Sequence, residues 1–286
     1  MHRNGMRLGA SRFVAGESAE EFIRAAKLAN ARGFAVAAGI LGEDTRDRRA
    51  AEAAAAAYIE LLHQIDGAAI DSTVALKVTH LGLNVDKELT FESVAAVAAT
   101  AQRLNNFVRL DMEQSSHVDD TIAIYSRLRR RGIQNIGFVL QAYLYRSLDD
   151  LAQLLPFGTN VRIVKGAYLE PASVAYQNKA DVDANFMRLL ARSLRDGAFT
   201  AVATHDPAIV QAALELIDER QIPRERLEFQ MLYGISARLA DTLRERGHRV
   251  RLAIPFGSYW FPYLMRRLAE RPANLGFFLR NALLPS

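Results

Sequence analysis

Short apolar runs rich in valine, isoleucine and leucine alternate along this chain with longer segments of helical period. The runs are "FAVAAGIL" (34–41), "STVALKVT" (72–79), "NFVRLDM" (106–112), "NIGFVLQAY" (135–143), "NVRIVKGAY" (160–168), "FTAVATH" (199–205), "LEFQML" (227–232) and "RVRLAIPFG" (249–257). Between them, segments such as "RRAAEAAAAAYIELLHQI", "FESVAAVAATAQRLN", "HVDDTIAIYSRLRRRG" and "DPAIVQAALELIDERQ" carry apolar residues three and four positions apart, the spacing of amphipathic helices. The last of these opens with Asp206 as N-cap and Pro207 at the first helical position. Eight strand–helix units in 286 residues predict an α/β fold of the (β/α)8 type, a closed parallel barrel rather than an open doubly wound sheet. An extra helix, over roughly 18–32, precedes the first strand. With no internal linker, low-complexity tract or short repeat, residues 1–286 are expected to form one barrel domain.

A parallel barrel gathers its βα loops at the C-terminal ends of its strands, and chemistry is expected there. Polar side chains fall at those positions. Lys77 ends the second run, Asp111 the third and Gln141 the fourth; Arg162 and Lys165 lie on the fifth, and Thr204 and His205 end the sixth. After the eighth run comes "IPFGSYWFPYLMRRLAERPAN" (254–274), where Pro255, Gly257 and Pro262 favour a sharp turn. Neighbours on a helix diverge by about 100°, so a plain solvated face serves the adjacent Arg266 and Arg267 poorly. We expect the last helix to begin above the barrel mouth, where both guanidinium groups can meet one anion.

Half of the residues are apolar and 24% are charged, the balance of a globular chain with a large core. The net charge of +4 is spread along the chain, and the one dense basic cluster, "RLRRRG" (127–132), reads as a solvated helix end rather than a nucleic-acid site. Cysteine is absent, which excludes disulfides, thiolate metal sites and a cysteine nucleophile and fits a reducing cytoplasm. The histidines show no ligand spacing, so no metal site is expected. "MHRNGMRLGASRF" holds no apolar signal-peptide core, and "AEAAAAAYIELL" (51–62) is broken by glutamates and too short to cross a bilayer, so no membrane-spanning segment is expected.

From about residue 12 to the end, the pieces "LKVTHLGL", "RLDME", "QAYLYR", "RIVKGAY", "ATHD", "EFQMLYG" and "PFGSYWFPYLMRRLAERPAN" stand in the order found in the flavin-dependent proline dehydrogenases, which the chain resembles. "KGAY" or "ATH" alone is a short coincidence; the ordered set is specific. The resemblance implies a distorted (β/α)8 TIM barrel of the bacterial monofunctional type. Such a barrel binds FAD at its mouth, oxidises L-proline to Δ1-pyrroline-5-carboxylate as the first step of proline catabolism, and passes electrons to a quinone. It implies that Arg266, Arg267 and Lys77 hold the proline carboxylate and that Asp111 and Arg162 are catalytic. Met112, Gln141, Arg162, Lys165, Gly166, Ala167, Thr204 and His205 would line the flavin. Tyr168, one residue past "KGA", reads as core or as a wall of the proline pocket, and the wall is the favoured reading. The resemblance further implies a cytoplasmic enzyme associated peripherally with the inner face of the cell membrane. Noncovalent flavin is expected, since no cysteine is present to form a thioether.

The residue types suit that chemistry. Hydride removal from the carbon beside the ring nitrogen needs a neutral amine, and nearby cations favour the neutral form. An arginine near the flavin stabilises negative charge building on the reduced ring. Asp111 balances the cations and can orient one of them. No G-x-G-x-x-G follows any strand, and this fold does not need one.

Other readings stay open from sequence. A strand-end Lys77 or Asp111 is often half of a structural ion pair. Arg266 and Arg267 can form a solvated face, and Trp260 and Tyr263 read most simply as packing residues of the last helix. A Schiff-base aldolase would use Lys165 as nucleophile on the same fold, and a degenerate barrel would serve as a scaffold. The chain departs from the family in two places. It begins almost at the leading helix, where family members often carry further helices. It also has Ala253 where they typically have a tyrosine against the substrate ring, a small residue shared with hydroxyproline-oxidising relatives, so a hydroxyproline-preferring enzyme is the alternative.

Overall fold

A computed structural model describes residues 10–270, the side chains of Ala10 and of residues 266–270 excepted. Eight strands, β1 (Ala35–Ile40), β2 (Ser72–Leu76), β3 (Val108–Leu110), β4 (Ile136–Gln141), β5 (Asn160–Val164), β6 (Phe199–Ala203), β7 (Leu227–Leu232) and β8 (Val250–Phe256), pair in sequence order. All pairs are parallel, and β8 closes the barrel against β1 with Ala253 beside Ala37. The leading helix, α1, spans Ala19–Ala31. After successive strands come α2 (Arg48–Gly67), α3 (Lys87–Arg103), α4 (Val118–Arg130), α5 (Ser147–Leu154), α6 (Lys179–Arg195), α7 (Pro207–Glu219), α8 (Ala237–Glu245) and, after β8, α9 (Trp260–Glu270).

Local chemistry explains the starts of these helices. Ser18 and Glu21 form a reciprocal capping box at α1. Asp47, Asp86, Asn178 and Asp206 each accept from first-turn backbone amides of α2, α3, α6 and α7. Most strands are shorter than the apolar runs that foretold them: β2 stops at Leu76, β3 at Leu110, β5 at Val164 and β6 at Ala203. The polar residue after each, Lys77, Asp111, Lys165 or Thr204, starts a βα loop and lines the mouth.

Alternation along the strands separates two environments. One face, with Val108, Leu110, Val161, Ile163, Phe229 and Val250, packs under the helices in the apolar core. The opposite face fills the barrel and is polar in its lower half, where Arg109, Glu228, Gln230 and Arg251 are buried. Arg109 donates to Asn160 O at 2.8 Å and Phe138 O at 3.2 Å. Gly137 makes room for it, because a Cβ there would come within 2.6 Å of Arg109 Nη1 and 2.5 Å of Asn160 O.

The start of α9 lies against the mouth, as expected. Trp260 and Leu264 are buried with Phe13 and Val14, and Trp260 Nε1 donates to Glu17 Oε1 at 2.9 Å. Trp260 is therefore the packing residue that the sequence suggested. Tyr263 is more than that: it packs against the same cluster and also walls the barrel-mouth cavity. The basic cluster ends α4 and so lies at the opposite end of the barrel. It is exposed but paired, with Arg127 and Arg131 on Glu88 and Glu92 at 2.7 and 3.0 Å and both guanidinium groups over the Phe91 ring. Arg129 donates to Gln134 O at 3.0 Å and to Phe157 O.

Candidate active site

A cavity of about 710 Å³ opens at the C-terminal ends of the strands, within the size range of small-molecule sites. Lys77, Asp111, Met112, Gln141, Arg162, Lys165, Gly166, Ala167, Tyr168, Thr204, His205 and Ala253 all line it. They come from five strand ends and from β8, so only barrel closure brings them together. Arg266 and Arg267 lie on α9, but their side chains are outside the described residues.

Three ion pairs organise the polar wall. Lys77 Nζ donates to Glu43 Oε2 at 2.5 Å, and both side chains are mostly buried. Arg162 Nη2 donates to Asp111 Oδ1, so the aspartate does orient a cation. Lys165 Nζ sits 2.7 Å from Asp206 Oδ2 and 2.6 Å from Asp183 Oδ1, with Lys179 bridging the same two carboxylates. Hydrogen bonds from Lys165 and Lys179 hold the Asp206 carboxyl far below the usual carboxylate range. An ammonium shared between two carboxylates has no lone pair to attack a carbonyl, which weighs against Lys165 as a Schiff-base nucleophile.

Hydrogen bonding sets the remaining groups. His205 Nε2 accepts from the Leu232 amide at 2.9 Å, which puts the neutral ring's proton on Nδ1. Gln141, 2% exposed, donates from Nε2 to Met112 O at 3.4 Å, while its Oε1 has no partner among the described residues. Thr204 Oγ1 accepts from the Asp206 amide at 3.1 Å. Gly166 has φ +120, and a Cβ there would come within 2.4 Å of the Tyr143 ring, so only glycine lets the backbone at this edge of the cavity pack so close to that ring.

The wall beside Ala253 is made of small residues. Ala37, Gly39 and Ala75 line the cavity with it, and a Cβ added at Gly39 would meet nothing within 4 Å. Tyr58, from α2, is buried at the same cavity, its hydroxyl 3.5 Å from Ile40 O. Burial, reinforced by the charges of Asp111 and Glu113, pushes that phenol far above its ordinary pKa.

Sequence reasoning missed Tyr58, Lys179 and Gln230 as wall residues and Glu43 as the partner of Lys77, and it read Asp206 only as a cap. Glu43 lies in a loop with no periodicity to mark it. Gln230 was visible as a polar residue within the apolar "LEFQML", and Tyr58 as the one aromatic side chain in an alanine-rich helix.

The family profile described as "Proline dehydrogenase" matches residues 22–280. The chain belongs to the proline dehydrogenase family. It is 38% identical over 279 residues to proline dehydrogenase 1 of Bacillus subtilis (strain 168), covering 98% of this chain and 92% of the relative. It is 39% identical over 278 residues to the proline dehydrogenase of Deinococcus radiodurans, covering 96% and 90%. Among solved structures, the proline utilization A protein of Bdellovibrio bacteriovorus inactivated by N-propargylglycine superimposes with a TM-score of 0.87 at 28% identity. That match covers 94% of this chain and 33% of the larger one. Membership in the proline dehydrogenases supports oxidation of proline in proline catabolism by this barrel. Among the described residues no helix is long and apolar enough to cross a membrane.

Proposed function

We propose that the protein is an FAD-dependent proline dehydrogenase that yields Δ1-pyrroline-5-carboxylate and delivers electrons to a quinone. The observation that carries this is the meeting of Lys77, Asp111, Gln141, Arg162, Lys165, Thr204 and His205 around one cavity at one barrel end. The residues suit a flavin: Gln141 keeps a buried oxygen at the cavity that has no partner among the described residues. Gln141, Arg162, Lys165, Thr204 and His205 would hold the cofactor, with Met112, Gly166 and Ala167 against it.

The chemistry FAD supplies when bound is acceptance of a hydride from the carbon beside the ring nitrogen of proline. The chain's own residues prepare that event. Lys77, with Arg266 and Arg267 from α9, would anchor the substrate carboxylate, and the cations favour the neutral amine whose lone pair assists hydride loss. Arg162, held by Asp111, brings fixed positive charge to the part of the cavity where negative charge accumulates. Tyr168, from the loop after β5, and Tyr263, from α9, narrow the cavity and would keep water from the reacting carbon.

The small wall of Ala37, Gly39, Ala75 and Ala253 supports a second reading within the same chemistry, in which 4-hydroxyproline is preferred. We further propose peripheral membrane association in the cytoplasm, for which the paired arginines at 127–131, at the end of the barrel away from the mouth, are a poor contact. The deciding experiment is the absorption spectrum of the purified protein before and after anaerobic proline. A flavin band that bleaches supports the proposal, and acid precipitation should release the yellow colour into the supernatant. A colourless protein that stays so after reconstitution with FAD, or a band that proline leaves unchanged while hydroxyproline also fails, overturns it. Reduction of a soluble quinone analogue should far outpace reduction of NAD.

A further inference from the structure

The polar interior below the cavity is not an arbitrary set of buried charges. It forms one chain of contacts leading upward. At the bottom, Arg249 pairs with Asp71 at 2.9 Å and with Glu228 at 3.2 Å, and Arg251 donates to Glu228 Oε1 at 2.8 Å and to Val36 O at 2.7 Å. In the middle, Gln230 Nε2 donates to the same Glu228 oxygen at 2.6 Å. At the top, Arg162 Nη1 donates to Gln230 Oε1 at 3.4 Å while Nη2 is held by Asp111.

A carboxylate can only accept, whereas a glutamine amide can face either way. Glu228 removes that ambiguity: it takes the amide nitrogen, so the amide oxygen must point to Arg162. Were the amide reversed, its N–H groups would face the guanidinium donor to donor. Glu228 has to be ionised for this. Burial raises its carboxyl, but the charge of Arg251 and the hydrogen bonds from Arg251 and Gln230 outweigh burial and hold it below its ordinary value. The geometry of the barrel leaves the needed space, because β6 lies between β5 and β7 and offers only Ala201 and Ala203 opposite Arg162 and Gln230. Arg162 itself still has an Nε without a partner among the described residues. Its placement therefore rests on two anchors, Asp111 and Gln230, and not on a fully saturated cage.

We propose that Glu228, acting through Gln230, is a positioning residue for Arg162, fixing where its charge stands at the floor of the active-site cavity. The catalytic consequence rests on the proposed flavin chemistry; the positioning itself does not. At metal sites, loss of a contact that orients a ligand typically costs about ten- to a hundredfold in activity, and the lower end of that range is expected here.

The experiment is a double-mutant cycle with Gln230→Met, Arg162→Lys and the pair, with Glu228→Gln as the variant that removes the ionised acceptor and leaves the Gln230 amide free to face either way. The expected results are a Gln230→Met protein that folds and binds FAD but has a kcat with proline about tenfold lower at similar KM. Its flavin reduction equilibrium should shift by about tenfold, or ~30 mV for two electrons. Glu228→Gln should reproduce most of both changes, and Gln230→Met should add little once Arg162 is lysine. Thermal unfolding of the flavin-free proteins gives the same cycle without any cofactor, and there too the two changes should be strongly non-additive. Additive effects in both cycles, or wild-type kcat and potential in Gln230→Met or in Glu228→Gln, overturn the proposal. A wild-type protein that binds no flavin would instead sink the proposed function, leaving the unfolding cycle to decide the positioning.

Discussion

Glu43 and Lys77 join the loop after β1 to the end of β2 through a 2.5 Å ion pair, with side-chain exposures of 15% and 22%. On the proposed role of Lys77, a substrate carboxylate there would have to share it with Glu43 or displace it. Glu43→Gln should therefore lower KM for proline by about fivefold, the ~1 kcal/mol expected for a partly exposed competing charge, with kcat little changed. Steady-state kinetics checks this. A raised KM would mean that Glu43 instead holds Lys77 in its working position.

The two arginines of α9 give a second test. Arg266→Met and Arg267→Met should each reduce kcat/KM with proline by about ten- to a hundredfold, corresponding to a charge-assisted hydrogen bond of roughly 1.5–3 kcal/mol. Flavin affinity, followed by titration, should change far less. Unchanged kinetics in both variants would assign these residues to a solvated face.

Ala253 stands beside Ala37 across the β8–β1 seam, and open space surrounds Gly39 two residues further along β1. A phenol introduced at 253 would stand on this wall of small residues, Ala37, Gly39 and Ala75. Ala253→Tyr should raise the proline-to-hydroxyproline ratio of kcat/KM on the order of tenfold. Both substrates on both proteins must be measured, and a ratio that is constant or moves toward hydroxyproline would remove Ala253 from the substrate wall.

His80 provides a pH-dependent prediction. Burial pushes its pKa down to about 4, the charge of Lys77 adds to this, and Glu43 opposes it. Folding favours the neutral ring, so its contribution is complete above the unfolded value near 6.5 and is lost as pH falls through about 4. Between pH 7 and 4.5 the melting temperature of the wild type should fall more steeply than that of His80→Gln. Parallel curves would show that the ring titrates normally.

Much of this protein is legible locally. Period-2 apolar runs and period-3.6 segments mark the eight strands and their helices, because burial of one face or one stripe is written residue by residue. The polar residues that end those runs are legible for the same reason: Lys77, Asp111 and Thr204 stand where the apolar requirement stops. So are the caps at Ser18 and Asp206, which act within one turn of chain.

What the tertiary structure alone decided is which of those residues meet. Lys77 finds Glu43 across 34 positions, Arg162 finds Asp111 across 51 and Gln230 across 68. Tyr263 turns from the last helix into the cavity, and Tyr58 reaches the same cavity from α2. Such pairings depend on strand register, on the small residues that leave gaps between strands, and on closure of β8 against β1. None of these is a local property, so periodicity foretold the strand ends but not the contacts made above and beneath them.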